Sequence, residues 1–128
     1  MDNIMFCSCG RRATLLKDFR KSMNGCGKIV ATDMSPVAPA LFMADETYLV
    51  PRIDDPSYYE HVLDICEKSK VKAITTLIDP EIEILAKNRE DLLSKGILPL
   101  CPADWTARLC YDKYEMFKYL RSKGVRTV

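Results

Sequence analysis

Two rhythms of apolar positions take turns along this chain, one continuous and short, the other spaced at three and four residues. "NIMFCSC", residues 3–9, is a nearly unbroken apolar run and predicts a first buried strand. From Arg12 to Met23 the apolar positions Leu15, Leu16, Phe19 and Met23 recur at helical spacing, so one helix follows with these on a common face. The turn residues of "NGCG" stop it, and "KIVATD" predicts a second strand. "MSPVAPALFMAD" is rich in proline and alanine and reads as a loop with a short helical turn. "ETYLVP" is a brief extended segment ended by Pro51.

The pattern then repeats. Asp55-Pro56 and Asp79-Pro80 each place a side-chain acceptor before a proline, the arrangement of an N-cap followed by the first helical position. The first of these helices is expected to run to Ser69 with Tyr59, Val62, Leu63 and Cys66 inward. The second carries Ile82, Leu85, Ala86, Leu92 and Leu93 and is expected to end near Gly96. Between them "VKAITTLI" predicts a strand, and after them "GILPLC" predicts another, followed by a short helix in "PADWTARLC". Asp112 with Glu115 has the spacing of a capping box, opening a last helix through Tyr119 and Leu120 to Lys123-Gly124. Strands and helices in alternation imply an α/β chain whose parallel sheet carries helices on both faces.

In such sheets ligands gather beyond the carboxyl ends of the strands. The loops expected there are Ser8 to Arg12, Asp33 to Ser35, Leu77 to Glu81 and Cys101 to Asp104. Gly10 stands where the first strand turns into a helix, and amide N–H groups at a helix start attract anions. Arg11 and Arg12 lie at the positive end of that helix dipole, which is unfavourable unless an anion compensates; two solvated arginines on a turn are the alternative. Asp33 ends the second strand where dinucleotide-binding folds keep a ribose-binding acid, but the first turn has one glycine where those folds have three. A capping or turn role for Asp33 is therefore preferred to a nicotinamide site. Asp79 is read as the helix cap and Glu81 as an acid favouring the dipole, with the binding of a substrate's amine or ammonium group as the functional alternative for both. His61 is read as structural or solvated.

Composition narrows these readings. Nineteen basic and eighteen acidic residues leave a formal charge of +1, so no global field favours nucleic acid or an anionic membrane. No apolar run approaches the length of a membrane span, and the first residues lack the form of a signal peptide, which sets the expectation of a cytoplasmic protein. The six cysteines, Cys7, Cys9, Cys26, Cys66, Cys101 and Cys110, contain no CxxC pair. They are expected to be reduced and mostly buried, with Cys7 and Cys9 facing apart and no metal bound.

Read together, "SCGRRATLLKDFRK", "VATDMSPVAPALFMADETYLVPRIDDPSYYEHVLDIC", "LIDPEIEILAKNRE" and "CYDKYEMFKYLRSKGV" resemble, in the same order, the N-terminal part of ATP-grasp ligases. The kin most resembled are proteins like the carbamoyl-phosphate synthase large chain, and the resemblance covers essentially the whole chain. It implies a three-layer Rossmann-like domain, the pre-ATP-grasp lobe, over 1–110, with 111–128 a helix and the start of a linker into an ATP-grasp domain that is missing. Such ligases use ATP and Mg2+ to turn a carboxylate or bicarbonate into an acyl phosphate, which an amine-type nucleophile then attacks. Basic side chains and metal neutralise the transferring phosphoryl group.

The resemblance also implies roles for residues. Asp112-Lys113 matches the family's DK pair, with Lys113 at the position of a lysine that touches nucleotide phosphates; a solvated lysine is the alternative. Gly10, Arg11, Arg12, Asp79 and Glu81 match positions bordering the substrate side of the cleft. The family runs on through a G-[IV]-x-T-P-like stretch, whereas here "GVRTV" ends with Val128 in the place of that proline. The glycine-rich flap and the metal-binding acids would lie beyond it. A truncated or split piece is expected to hold no catalytic residue, to bind no cofactor of its own and to be inactive alone. Its partners would be the missing lobes, in cis or as a split subunit. Apolar surface near Tyr111, Tyr114 and Phe117 could pair copies of the chain. A free-standing nucleotide or sugar-phosphate binding module is the competing reading, and a phosphorelay receiver is excluded because Cys7, Ser8 and Cys9 stand where its acids would be.

Overall fold

The computed structural model describes residues 1–127; Val128, the residue read against the family's proline, lies outside them. Five strands form one parallel sheet in the order β3-β2-β1-β4-β5. They are β1 (Asn3–Cys7), β2 (Ile29–Asp33), β3 (Glu46–Leu49), β4 (Val71–Thr76) and β5 (Leu98–Pro99). Six helices connect and extend them: α1 (Ala13–Met23), α2 (Tyr58–Lys68), α3 (Asp79–Lys87), α4 (Arg89–Ser94), α5 (Asp104–Tyr111) and α6 (Lys113–Ser122). A 3-10 turn, Pro39–Met43, fills the proline- and alanine-rich stretch between β2 and β3.

Alternation along the central strand divides the core in two. Met5 and Cys7 point to one face, where Tyr58, Val62, Ile65 and Cys66 of α2 join Leu85 of α3 and Leu92 of α4. Ile4 and Phe6 point to the other, against Leu16 of α1 and Ala40 and Leu41 of the 3-10 turn. Three layers result, as the sequence predicts. Phe6 also meets Phe19 of α1 edge to face, with ring centroids 4.8 Å apart. Asn3, the one polar residue of β1, is spent on the backbone. Its Nδ2 donates to Ser69 O at 2.7 Å, and its Oδ1 accepts from Lys28 N at 2.9 Å.

Several elements depart from the sequence-based expectation. The first strand ends at Cys7 instead of Cys9, because Ser8 takes a left-handed conformation with φ 47°. That turn also explains the cysteines. Positions two apart share a face of a regular strand, yet Cys7 belongs to the α2 side and Cys9 to the α1 side, since the chain rotates between them. Asp55 caps a turn and not the helix: its Oδ1 accepts from Ser57 N at 2.8 Å, and α2 starts only at Tyr58. The inner face consequently centres on Tyr58, Val62, Ile65 and Cys66, with Tyr59 and Leu63 half-buried at its margin.

Asp79 is not the cap of its helix either. Ile78 holds that position in an extended conformation, and Asp79 and Pro80 are already helical. The turn before it is held instead by Thr76 Oγ1, which accepts from Ile78 N at 3.3 Å. The single helix expected to Gly96 breaks at Asn88, whose φ of −98° and ψ of 17° separate α3 from α4. Leu93 is left largely exposed, and β5 is only two residues long. Asp112 caps α6 as expected, accepting from the amides of Tyr114 and Glu115 at 3.0 Å each. Glu115 does not close the box and pairs with Lys118 at 2.5 Å. Of the cysteines, all free, Cys7, Cys9 and Cys66 are buried, Cys101 is half-buried, and Cys26 and Cys110 are exposed.

At Gly27 the absence of a side chain is a packing requirement. A Cβ there would lie 2.3 Å from the carbonyl oxygen of Asp2, in the backbone that leads into β1. Backbone cannot swing aside as a side-chain tip can. Gly27→Ala is therefore expected to destabilise the chain by about 1–3 kcal/mol, read as a lower urea midpoint with an unchanged slope.

Candidate functional site

All the strand pairings are parallel, so the loops leaving β1, β2, β4 and β5 share one edge of the sheet. The chain order reverses direction between β1 and β4, the place where open α/β sheets leave a crevice. Cys7 lies opposite Thr76, and Leu77 N donates to Cys7 O at 3.3 Å. The β1–α1 turn and the β4–α3 turn are thus fixed side by side. Gly10, Arg11 and Arg12 follow β1, and Asp79 and Glu81 follow β4, at the same edge of the sheet.

Asp33 organises the first of these turns. Its Oδ2 accepts from Gly10 N at 2.8 Å and its Oδ1 from Ser35 N at 2.9 Å. The amide that the sequence offers as an anion donor is thus already engaged by a carboxylate of the same chain. Cys9 N donates to Thr32 O at 3.2 Å, and Ala40 N donates to Gly10 O at 3.0 Å, so both sides of the turn are tied to β2 and the 3-10 turn. Gly10 has φ 49°, a conformation glycine enters at little cost. Burial and the neighbouring Asp33 carboxylate push the Cys9 thiol up to about 11. Arg11 and Arg12 remain exposed and form no ion pair among the described residues.

Glu81 organises the second turn from inside. Its side chain is entirely buried, and its carboxyl accepts from the hydroxyls of Tyr58 and Thr76. Burial raises its pKa to about 7; the Ser8 hydroxyl facing it works in the opposite direction, and the Asp33 charge adds to the rise. On the same face, Thr32 Oγ1 is buried without a hydrogen-bond partner and faces the Cys7 thiol, which burial and Glu81 push well above its usual range. A polar seam therefore runs through an apolar layer at the sheet's crevice. Asp79, by contrast, is exposed.

Lys113 lies further off along the chain. It opens α6, which packs on α5, which packs in turn on α3. It is exposed, and its Nζ donates to Cys110 O at 3.1 Å. Sequence reading named Gly10, Glu81 and a turn role for Asp33, which its bonds to Gly10 and Ser35 bear out, but missed the hydroxyls around Glu81. Ser8 and Thr76 carry no signal beyond lying at strand ends. Tyr58 could have been found from the stripe Tyr58, Val62, Ile65 and Ser69, had the helix start been placed two residues later. Among the described residues no three His, Cys, Asp or Glu side chains gather as metal ligands would, and no helix is long and apolar enough to cross a membrane.

The buried acid has a thermodynamic consequence. The folded chain holds its proton up to about 7, whereas the unfolded chain releases it near 4.5. The fold binds the extra proton between those values, so stability falls as pH rises through that window and stays low above it. Glu81→Gln, which cannot ionise, is expected to flatten that fall. Its advantage over the parent should be small at about pH 5 and reach on the order of 3 kcal/mol at about pH 8, measured by denaturant titration at each pH.

Comparison with known proteins agrees with this architecture. The biotin carboxylase domain dimer of Hydrogenobacter thermophilus 2-oxoglutarate carboxylase, in complex with MgADP, ADP and bicarbonate, matches with a TM-score of 0.72 and 21% identity over 99% of this chain and 28% of that one. N5-carboxyaminoimidazole synthetase from Staphylococcus aureus, complexed with ADP, matches with a TM-score of 0.71 and 19% identity over 99% of this chain and 31% of that one. The complete multifunctional pyruvate carboxylase from Rhizobium etli matches with a TM-score of 0.65 and 22% identity, over all of this chain and 13% of that one. At such identities the likeness is one of fold, and the chain spans less than a third of each of these structures. No curated protein matches the sequence. A family sequence profile matches residues 4–100, more than half of the chain, and its description is "PylC-like, N-terminal domain". The chain belongs to the PylC-like N-terminal domain family.

Proposed function

We propose that this chain is the N-terminal lobe of an ATP-dependent ligase of the ATP-grasp class, supplying one wall of a cleft completed by lobes beyond residue 128. The observation that carries this reading is the reversal of strand order between β1 and β4, with the β1–α1 turn beside it. Two unpaired guanidinium groups, Arg11 and Arg12, flank a turn whose own amide is already engaged by Asp33. Such cations suit an anionic carboxylate, bicarbonate or acyl phosphate, for which exposed arginine offers paired donors. In this reading Asp79 is the exposed acid available to an amine-type nucleophile, and Glu81 supports it from beneath.

Lys113 is assigned to the nucleotide. It lies at the first turn of α6, beyond the family match, in the segment 111–128 that would lead into the ATP-grasp lobes. ATP and Mg2+ would supply phosphoryl transfer in the complete enzyme; this chain would contribute Lys113 to the nucleotide and the arginine turn to the acceptor. Carbon–nitrogen bond formation, in the manner of carbamoyl-phosphate synthase, is the proposed reaction type. Bicarbonate and ADP in the solved carboxylase and ADP in the synthetase belong to proteins of the same fold and support a carboxylate-type acceptor. The free-standing binding module is the weaker reading, because the Gly10 amide that would hold its phosphate is engaged by Asp33 at 2.8 Å.

The test is ATP hydrolysis coupled to an added carboxylate or bicarbonate. Residues 1–128 alone are expected to release no ADP above background. The protein from the complete reading frame is expected to release it only when acceptor and Mg2+ are present. Lys113→Ala in that protein should raise KM for ATP about tenfold or more, and Arg12→Ala should raise KM for the acceptor, neither moving the melting midpoint. Turnover by 1–128 itself, or a Lys113→Ala enzyme with unchanged KM, would overturn the assignment.

A further inference from the structure

The β1–α1 turn has the form of an anion seat, and the chain fills that seat with a carboxylate of its own. α1 begins at Ala13 with no side-chain cap and no acidic residue in its first turn, and Arg11 and Arg12 precede it. A helix start of that kind carries unbalanced positive charge. Gly10 N donates to Asp33 Oδ2 at 2.8 Å, and Ser35 N, from the loop after β2, donates to Oδ1 at 2.9 Å. One carboxylate thus receives two amides from separate loops, an oxygen to each, and is buried with 9% of the residue exposed. Charge-assisted bonds of this length from fixed backbone donors are what a bound anion receives at a helix start. The turn's other backbone ties end on backbone: Cys9 N donates to Thr32 O at 3.2 Å, and Ala40 N donates to Gly10 O at 3.0 Å. Among the described residues, Asp33 is the one negative group hydrogen-bonded to these amides.

We propose that Asp33 is a specificity-determining residue, its carboxylate standing where an oxygen of a bound phosphate would stand and so barring phosphate groups from the β1–α1 turn. Its consequence for ligands rests on the reading of that turn as the acceptor-facing wall. In dinucleotide-binding folds the acid that ends the second strand faces a ribose, while the first turn leaves its amides to a pyrophosphate. Here the acid at that place turns inward and takes the amide itself. A phosphate arriving at the turn finds its donor engaged and meets a fixed like charge, which disfavours it further. What the turn still offers an anion is side chain only: Arg11 and Arg12, exposed and without ion pairs among the described residues. An acceptor carboxylate or bicarbonate would be held by those guanidinium groups at the rim, outside the seat, and the phosphates of ATP would bind away from this turn.

The seat can be tested by emptying it. Asp33→Ala in the 128-residue chain removes both acceptors and leaves the Gly10 and Ser35 amides without their partner. Its melting midpoint is expected to fall by about 5–10 °C. Inorganic phosphate, exchanged for chloride at matched ionic strength, should then raise that midpoint about 3–5 °C more than it raises the parent's. In 15N-labelled protein the Gly10 and Ser35 amide signals of the variant should move back towards their parental positions as phosphate is added. Gly27→Ala, destabilised by packing against Asp2 at the opposite end of β1, controls for the general stabilising action of phosphate and should gain no more than the parent. If Asp33→Ala is unfolded in chloride, recovery of its circular dichroism in phosphate reads the same event. The proposal is overturned by an Asp33→Ala midpoint that gains no more from phosphate than the parent's, by a variant that stays unfolded in phosphate, or by a parent whose own Gly10 amide shifts with phosphate. Neither nucleotide nor acceptor is present, so failure of the seat and failure of the ligase reading are separate results.

Discussion

A central strand buried on both faces admits polar chemistry only at its ends, and this constraint shapes the whole molecule. β1 is covered from both sides along all five residues. At its start Asn3 is tied into backbone by both ends of its amide, so the strand entry is sealed. At its finish the backbone leaves regular pairing through Ser8 and Gly10, and polar groups collect there: Asp33 from one neighbouring strand, Thr76 from the other and Glu81 from α3 behind it. The sheet thus sorts its residues by depth along the strand, with packing at one level and chemistry at the next.

The two acids at that edge solve the cost of burial differently. Asp33 spends both oxygens on amides, Gly10 and Ser35, and so serves as a turn builder. Glu81 meets only hydroxyls, which can donate or accept, and its protonation is left open by its surroundings. One carboxylate is fixed in role by rigid donors; the other keeps a choice because its donors rotate. Arg11 and Arg12, exposed on the same turn, form no ion pair among the described residues.

Local signals carried most of the element order, because strand runs, helix stripes and turn residues act over a few positions. They carried the boundaries less well. Asp55 and Asp79 both have the look of caps before proline, but the first holds a turn and the second sits inside its helix, where Thr76 had already secured the corner. Gly10 and Glu81 were legible as strand-edge residues. The burial of Glu81 was not, since it depends on Tyr58, 23 positions earlier, and on a packing of α2 over β4 that no short window contains. The opposite facing of Cys7 and Cys9 was likewise expected for a reason that does not hold, and follows from one residue, Ser8, in a left-handed state.

The distribution of thiols has a practical side. Cys7, Cys9 and Cys66 are buried, with proton affinities raised by desolvation, and so present little thiolate to an alkylating reagent. Cys26, in the turn entering β2, and Cys110, on α5, are exposed. Nature has therefore left two handles on distant elements of an otherwise unreactive frame. A pair of spin labels or fluorophores there could track α5 against the sheet without altering the sequence.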